Sequence, residues 1–305
     1  MRDKGMTYRS GQDNKNTKKR ILFINELQKW NTQYRGQLIQ ELKALGHSMS
    51  SFGVRDIPHG VLIIFLANLT KVQIVSANLR ANLFVLFLNF RKGTIIINGL
   101  GRHRKNKFFR YLFAKLIGLQ KNKNFVFQNY ADFRWARRFI GGSIDWIPGS
   151  GGRKRKFGSD VSRVLVVTRD SKVRIVWDSI QLFSVENPEK KVIVVGVDYS
   201  DSSFGNRIIS HGFVKQADIF LEGSSFLQPD GYGEGFPQTL ADAIVSGLEV
   251  YISRSSFIMF GLSSLGFHFF PKTRSFGLLK GDENSRSKLS IELVNQQYMN
   301  VILRK

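Results

Sequence analysis

The sequence predicts an α/β protein with two doubly wound parallel sheets, both Rossmann-like, that face a central cleft. A chain of 305 residues is long enough for two domains. Strand-like apolar runs alternate with helical patterns in both halves of the chain, which is typical of parallel sheets. The stretch GSGGRKRK at 149–156 separates the halves, and its glycine and charge content indicates a linker.

In the first half, continuous apolar runs are typical of buried parallel strands, and amphipathic patterns indicate helices. The predicted strands are 20–25, 61–66, 72–75, 94–97 and 124–128. A loop with Gln28, Trp30 and Tyr34 follows the first strand. The predicted helices are 37–46, which stops at Gly46, and 82–90, 107–119 and 131–139. Residues 145–148 close this half.

The second half repeats the alternation. Its predicted strands are 164–167, 192–195, 219–221 and 249–253, with a turn into a short element at 208–213. Its predicted helices are 173–183, 237–246 and a terminal one at 289–303. The expected boundaries are a disordered basic tail at 1–19, a first domain at 20–150, a linker at 151–160, a second domain at 161–285 and a C-terminal helix at 286–305.

Composition narrows the class of protein. The chain has no cysteine, which rules out disulfides and thiolate metal sites. Its longest apolar stretches, 61–69 and 83–90, are far shorter than the ~20 residues that span a bilayer. The formal net charge of +23 is concentrated in residues 1–150, which hold 26 Lys and Arg against 7 Asp and Glu. Such asymmetry indicates an anionic partner for the first half, either nucleic acid or a membrane surface.

The most informative segment is 233–247, GEGFPQTLADAIVSG. Glu234 lies in a Gly-rich turn, Pro237 stands where a helix begins, and Asp242 follows about two turns later. Free N–H groups at a helix N-terminus attract phosphate, and carboxylates accept hydrogen bonds from sugar hydroxyls. The combination indicates a sugar-nucleotide site. The simpler interpretation is a helix cap followed by an exposed helical acid.

The same segment resembles the donor-binding motif of retaining glycosyltransferases of family 4, which have the two-domain GT-B fold. That motif has two Glu residues separated by seven others, and here the positions hold Glu234 and the shorter Asp242. Further stretches resemble bacterial surface-polysaccharide enzymes and precede the motif in the same order: INGLG at 97–101, FQN at 127–129 and IPGSG at 147–151. The resemblance covers roughly residues 20–255.

The resemblance implies a role for each matching residue. Glu234, Arg169 and Lys172 would be catalytic, with the two cations stabilising the departing diphosphate. The implied donor-binding residues are Gly235, Phe236, Pro237, Asp242, Asn98 and Gly99. In this class the leaving phosphate deprotonates the acceptor, so no protein nucleophile, metal or cofactor is expected besides a UDP- or GDP-linked donor. The simpler interpretation of Arg169 and Lys172 is a pair of solvated loop charges.

Residues 102–123 hold eight Lys and Arg, no acidic residue, and apolar side chains at helical spacing. This pattern is typical of a basic amphipathic helix on an anionic bilayer, and also of an ordinary helix with its cations in water. The residues predicted to face the acceptor or the membrane are His103, Lys105, Lys107, Arg110 and Lys115. His103 would be a base or a hydroxyl anchor, or else an ordinary surface histidine.

The expected function is transfer of a sugar from a nucleotide sugar to a saccharide acceptor. The resemblance implies a lipid-linked acceptor, a role in bacterial surface-polysaccharide or lipopolysaccharide synthesis, and a peripheral position on the cytoplasmic face of the membrane. Three alternatives stay open: an inactive GT-B partner subunit, a basic nucleic-acid-binding protein, and a hydrolase or epimerase of sugar nucleotides. No nucleic-acid partner is expected, because no known nucleic-acid-binding module is recognised.

Overall fold

The structure, a computed structural model, describes residues 18–55, 57–197, 206–214, 219–231 and 235–304. Nearly all of the predicted N-terminal tail therefore lies outside the described residues. So does the predicted catalytic residue Glu234. The described residues form two sheets, one in each half of the chain.

The first sheet has six strands, all parallel, in the order β2-β1-β3-β4-β5-β6. Their bounds are β1 Arg20–Asn25, β2 Ser48–Gly53, β3 Gln73–Ala77, β4 Gly93–Ile97, β5 Lys123–Phe127 and β6 Ile144–Trp146. The helices between them are α1 Gln28–Ala44, α2 Ile57–Leu69, α3 Leu79–Leu88, α4 Lys107–Gly118 and α5 Tyr130–Ala136.

Each face of this sheet carries its own apolar core, because alternate residues of a strand point to opposite faces. Leu22 and Ile24 of β1 pack with the inner residues of α2, α3, α4 and α5. Ile21 and Phe23 of the same strand pack on the other face with α1. Both faces are covered, as is usual for a parallel sheet.

The second sheet has seven strands in the order β12-β13-β11-β10-β7-β8-β9. Their bounds are β7 Arg163–Val167, β8 Lys191–Val195, β9 Ile208–Ser210, β10 Ser225–Gln228, β11 Glu249–Ser253, β12 His268–Pro271 and β13 Phe276–Lys280. The helices are α6 Asp170–Glu186, α7 Gln238–Ser246, α8 Arg254–Met259, α9 Glu283–Ser287 and α10 Ile291–Leu303. The helix predicted at 237–246 and the strand at 249–253 are confirmed.

The strand predicted at 61–66 is wrong, because these residues lie within α2. An apolar run alone does not distinguish a buried strand from a helix. Ile64 and Ala67 of this helix are buried in the core, and Ile63 packs against it partly buried. Val61, Leu62 and Phe65 are exposed. The run is therefore apolar on its outer surface as well as on its inner one.

Other elements also differ from prediction, and α8, β12, β13 and α9 were not predicted at all. Residues 28–36 are the first turns of α1 rather than a loop, and β2 was not predicted because SMSSFG lacks an apolar run. Residues 219–221 belong to a 3₁₀ turn, and the strand follows at Ser225–Gln228. The second sheet is mixed, because β13 pairs antiparallel with both β11 and β12. An antiparallel edge on a parallel sheet is common in such folds.

The terminal helix α10 packs against the first sheet, although it follows the second sheet in the chain. Val294, Tyr298 and Ile302 are buried in the same core as α1 and β1. Side chains of the first sheet also satisfy the last carbonyls of α10, which have no partner within a helix. Gln73 Nε2 donates to Ile302 O at 2.6 Å and Lys19 Nζ donates to Leu303 O at 3.0 Å.

Candidate active site

The two halves meet where the loop after β4 approaches the segment before α7. A Cβ atom added at Gly235 would overlap the carbonyl oxygen of Asn98, and it would lie 3.0 Å from Gln128 Oε1. No side chain larger than hydrogen fits there without movement of the backbone. The structure thus places Asn98 and Gly235, two predicted donor-binding residues, in contact across the two halves.

Asn98 directly follows β4 at the carboxyl edge of the first sheet, where ligands bind in open α/β sheets. Its Oδ1 atom is buried and has no hydrogen-bond partner. The next residue, Gly99, has φ of 149°, a conformation that favours glycine. A buried acceptor without a partner is uncommon in folded proteins, and an incoming hydroxyl or amide would satisfy it.

Asp132 and Asn129 hold the loop that begins at Asn98. Asp132 accepts hydrogen bonds from Leu100 N at 3.0 Å and Arg104 Nε at 2.9 Å. Arg104 Nη2 also donates to Asn129 Oδ1 at 2.6 Å, and Asn129 caps α5. Because Asp132 is almost fully buried, this ion pair fixes the loop geometry more firmly than an exposed pair would.

On the opposite side, the motif segment enters α7 through Phe236 and Pro237. Phe236 is buried, with its ring 5.5 Å from that of Phe260, and Gly149 packs against it. Pro237 is the N-cap of α7, has no side-chain hydrogen bond there, and the first turn contains no acidic residue. The N–H groups that begin α7 can therefore receive a phosphate or carboxylate oxygen.

Asp242 lies one turn further along α7 and is only 3% exposed. Its Oδ1 accepts hydrogen bonds from Arg153 N and Gln238 Nε2, both at 2.9 Å. Its Oδ2 lies 3.6 Å from Arg155 Nε. Burial raises the pKa of this carboxyl, and the hydrogen bonds and the two arginines oppose the rise. Its contacts tie α7 to the connecting segment, and its role as a ribose ligand stays a prediction.

Arg169 and Lys172 lie at the carboxyl edge of the second sheet. Arg169 is exposed at the N-cap of α6, directly after β7, and Lys172 is partly exposed in the first turn. Because β7 and β10 are adjacent and parallel, the loops that follow them lie at the same edge. Arg169 and the segment before α7 therefore lie at the same carboxyl edge of the second sheet.

Two groups near the contact between the halves were not predicted as site residues from the sequence. Asp230, directly after β10, accepts hydrogen bonds from the Oγ atoms of Ser253 and Ser256, both at 2.6 Å. These bonds tie the start of the motif loop to the turn between β11 and α8. The signal that could have been used is the Ser-rich stretch SRSS at 253–256, where the predicted strand 249–253 ends.

Gln128, the second such group, joins three parts of the chain. Its Nε2 donates to Gly149 O and to the Tyr298 hydroxyl, both at 3.0 Å. The Tyr298 hydroxyl in turn donates to Gly149 O at 2.8 Å. The end of β5, the crossover between the sheets and α10 therefore share one buried hydrogen-bond network beside Gly235.

The residues predicted to face the acceptor or the membrane lie in and before α4. His103 is partly exposed, with its ring 4.7 Å from that of Phe109. Lys107 and Lys115 are exposed. Arg110 differs, since its guanidinium lies 4.8 Å from the Trp135 ring centroid and its Nε is buried without a hydrogen-bond partner. The side chain of Lys105 lies outside the described residues.

Within the described part of the chain, no three His, Asp or Glu side chains are grouped as metal ligands would be. No helix among the described residues is long and apolar enough to cross a bilayer.

No protein-family model matches the chain, and no curated protein sequence matches it. Solved structures of Anabaena Alr3699/HepE do match. The complexes with UDP-glucose, with UDP, and with UDP and glucose give TM-scores of 0.63, 0.62 and 0.61. Each is 12% identical in sequence, and each alignment covers 94% of this chain and 100% of that chain. The predicted GT-B fold is confirmed.

Proposed function

We propose that this chain is a retaining glycosyltransferase that moves a sugar from a nucleotide-sugar donor to a saccharide acceptor. The observation that carries the proposal is the contact between Asn98 and Gly235. It brings the carboxyl edge of one sheet against the start of α7, within a fold shared with a protein solved in complex with UDP-glucose. The resemblance of residues 233–247 to a donor-binding motif points to the same place.

In the proposed mechanism, Glu234 accepts hydrogen bonds from hydroxyls of the donor sugar. The N–H groups of Gly235 and Phe236 bind the sugar or its phosphate. Arg169 and Lys172 stabilise the diphosphate as it leaves, a preorganised electrostatic role. The acceptor hydroxyl forms its bond to the anomeric carbon as the bond to the phosphate breaks, and its proton passes to a phosphate oxygen. The new bond forms on the face that the phosphate leaves, so configuration is retained.

Asn98 contributes to the same donor site from the first half of the chain. Its unpartnered Oδ1 would accept a hydrogen bond from a donor-sugar hydroxyl, which removes the cost of a buried polar atom without a partner. Asp242 would bind the ribose only by exchanging a bond it now makes with Gln238 or Arg153. This exchange makes its contribution to nucleotide affinity smaller than that of a free carboxylate.

The proposed acceptor is lipid-linked, for bacterial surface-polysaccharide or lipopolysaccharide synthesis, and the enzyme lies on the inner face of the cytoplasmic membrane. Support comes from the outer surface of the layer formed by α2, α3 and α4. Large apolar side chains are exposed there beside Lys107 and Lys115, and Phe108 is 74% exposed. The others are Val61, Leu62, Phe65, Leu66, Leu69, Phe87, Tyr111, Leu112 and Leu119. Such patches mark protein or membrane contacts.

The test is titration calorimetry of the purified protein with UDP, GDP and their glucose conjugates, with no metal added. We expect one nucleotide to bind, and its sugar conjugate to bind less well to Glu234→Gln. Transfer by Glu234→Gln should fall by roughly 10²-fold or more, the size seen when a preorganised electrostatic contact is lost. Glu249→Gln, at the start of β11, is the matched control and should behave like the wild type.

The outcomes separate the alternatives. Full transfer activity in Glu234→Gln would refute the assignment of the donor site. Nucleotide-sugar binding without transfer to any saccharide would favour the inactive subunit, and release of free sugar would favour a hydrolase. Folded protein that binds no nucleotide would contradict the proposal as a whole.

A further inference from the structure

A basic recess lies at the amino edge of the first sheet, the edge opposite the candidate active site. It is an open cavity of about 980 Å³ lined by the first residues of β1, β3, β4 and β5. Nine of its sixteen lining residues are Lys or Arg, and none is Asp or Glu. The two edges are about 15 Å apart, since strands of five residues rise about 3.3 Å per residue. The recess is therefore distinct from the donor cleft.

The floor of the recess contains a buried ammonium group. Lys123 is 1% exposed, and its Nζ donates to Asn89 O at 2.9 Å and to Arg91 O. An ammonium has three N–H donors, so one is left after these two bonds. Burial also lowers the pKa of Lys123 to about 8. A buried cation with an unused donor gains stability from an anion placed beside it.

A second unused donor lies next to it. Asn89 is 2% exposed, and its Nδ2 is buried without a hydrogen-bond partner. A Cβ atom at Gly93, which lines the recess, would lie 3.5 Å from this Nδ2 and 3.7 Å from Lys123 Cδ. Two buried donors without a full set of partners therefore lie close together beneath the recess, which is uncommon in folded proteins.

The rim adds exposed cations that no described carboxylate neutralises. No described ion pair involves Lys71, Lys92 or Lys121, which come from three different loops. Arg304 differs, because it is paired with Asp145 at 3.0 Å. Clustered like charges repel one another, and an anion of high charge placed among them relieves that repulsion.

From these features we propose that the recess binds an anion carrying at least two phosphate groups. Its volume is at the upper end of ordinary ligand pockets, which leaves room for more than one phosphate. Lys123 and Asn89 hold one phosphate on the floor, and Lys71, Lys92 and Lys121 hold the next at the rim. Lysines act as mobile point charges and suit phosphates of varied geometry. The proposal does not depend on the proposed glycosyltransferase activity.

The test is calorimetric titration with inorganic pyrophosphate, repeated with vesicles that contain cardiolipin, a lipid with two phosphate groups. The main variant is Lys71→Gln/Lys92→Gln/Lys121→Gln, which changes only exposed side chains and so preserves folding. The matched control, Lys154→Gln/Lys156→Gln/Lys272→Gln, removes the same charge from exposed positions elsewhere. Lys123→Met tests whether the buried ammonium on the floor of the recess contributes to binding. If the Lys123→Met variant does not fold, the triple variant still tests the proposal.

We expect the triple variant to bind the anion roughly 10- to 100-fold more weakly, because three lysines near the anion are removed. The control should match the wild type. Loss with pyrophosphate identifies a soluble ligand, and loss with vesicles alone identifies lipid phosphates; either result supports the proposal. Equal loss in both triple variants, or no binding of either probe, overturns it.

Two further outcomes would overturn it. If Arg169→Gln abolishes pyrophosphate binding and the triple variant does not, the anion occupies the donor cleft. If single-stranded DNA binds more tightly than pyrophosphate and is lost in the same triple variant, the recess serves nucleic acid. Neither outcome depends on whether the protein transfers sugar. Failure of the recess to bind an anion can therefore be distinguished from failure of the proposed function.

Discussion

At Gly235 the lack of a side chain sets how closely the two halves of the molecule approach each other. The backbone there lies so close to Asn98 O and Gln128 Oε1 that an added Cβ atom would overlap the first and lie 3.0 Å from the second. The glycine next to a motif carboxylate thus has a packing role that is separate from turn formation. Local contacts of one residue determine the width of the cleft at the point where the donor is proposed to bind.

We therefore expect Gly235→Ala to destabilise the protein by about 1–3 kcal/mol, as overpacking at a rigid contact does. Transfer should fall by roughly 10²-fold or more, because a shift of about 1 Å in a positioned site has that effect. Urea unfolding and steady-state kinetics measure the two changes. Gly36→Ala is the control, since nothing lies within 4 Å of the added atom in helix α1. Wild-type activity in Gly235→Ala would show that this contact does not position the donor.

Helix α10 joins the two halves. It follows the second sheet in sequence and packs with α1 on the first, while residues 151–152 pass between α7 and the start of α10. Buried Tyr298 forms the centre of this arrangement. Its ring lies 4.2 Å from the Arg35 guanidinium carbon, and its hydroxyl accepts a hydrogen bond from Arg35 Nη2 at 3.1 Å.

We expect Tyr298→Phe to lower the free energy of unfolding by about 2–4 kcal/mol, because it removes the partner of a buried guanidinium as well as bonds to Gln128 and Gly149. The measurement is the urea midpoint at an unchanged m-value. Tyr111→Phe, at an exposed tyrosine of α4, should change stability by less than about 0.5 kcal/mol. Equal effects of the two substitutions would contradict a structural role for the Tyr298 hydroxyl.

Across the whole molecule, charge and apolar exposure are both concentrated in the first half. The outer surface of α2, α3 and α4 is apolar with cations beside it, and the basic recess opens at the amino edge of the same sheet. The proposed donor cleft lies at the opposite edge. In the proposed function, the first half contacts an anionic surface and the nearly balanced second half holds the nucleotide.

We expect Lys107→Gln/Lys115→Gln to weaken binding to phosphatidylglycerol vesicles by roughly 2 kcal/mol, about 30-fold, at about 1 kcal/mol for each lysine. Leu62→Gln/Phe65→Gln should also weaken it, because both side chains are exposed on α2. Vesicle flotation measures both variants, and Lys154→Gln/Lys156→Gln is the charge-matched control. Binding that stays unchanged in the first two variants would exclude this surface as the membrane contact.

The sequence predicted the elements whose patterns are local. The strand at 249–253 and the helix at 237–246 followed from an apolar run and from Pro and Gly at the ends of a helical pattern. Residues 61–66 were assigned wrongly because burial on one side and exposure on the other cannot be read from an apolar run. The strand β2, with almost no apolar residues, forms because β1 provides a parallel partner.

By itself, the sequence determined the two-sheet class, the excess of cations in the first half and the segment that carries the candidate donor site. These properties depend on composition and on residues close together in the chain. Only the tertiary structure decided that Asn98 meets Gly235, that α10 returns to the first sheet and that basic residues from separate loops line one recess. Such contacts join residues far apart in the chain, and the packing of two complete sheets is what brings them together.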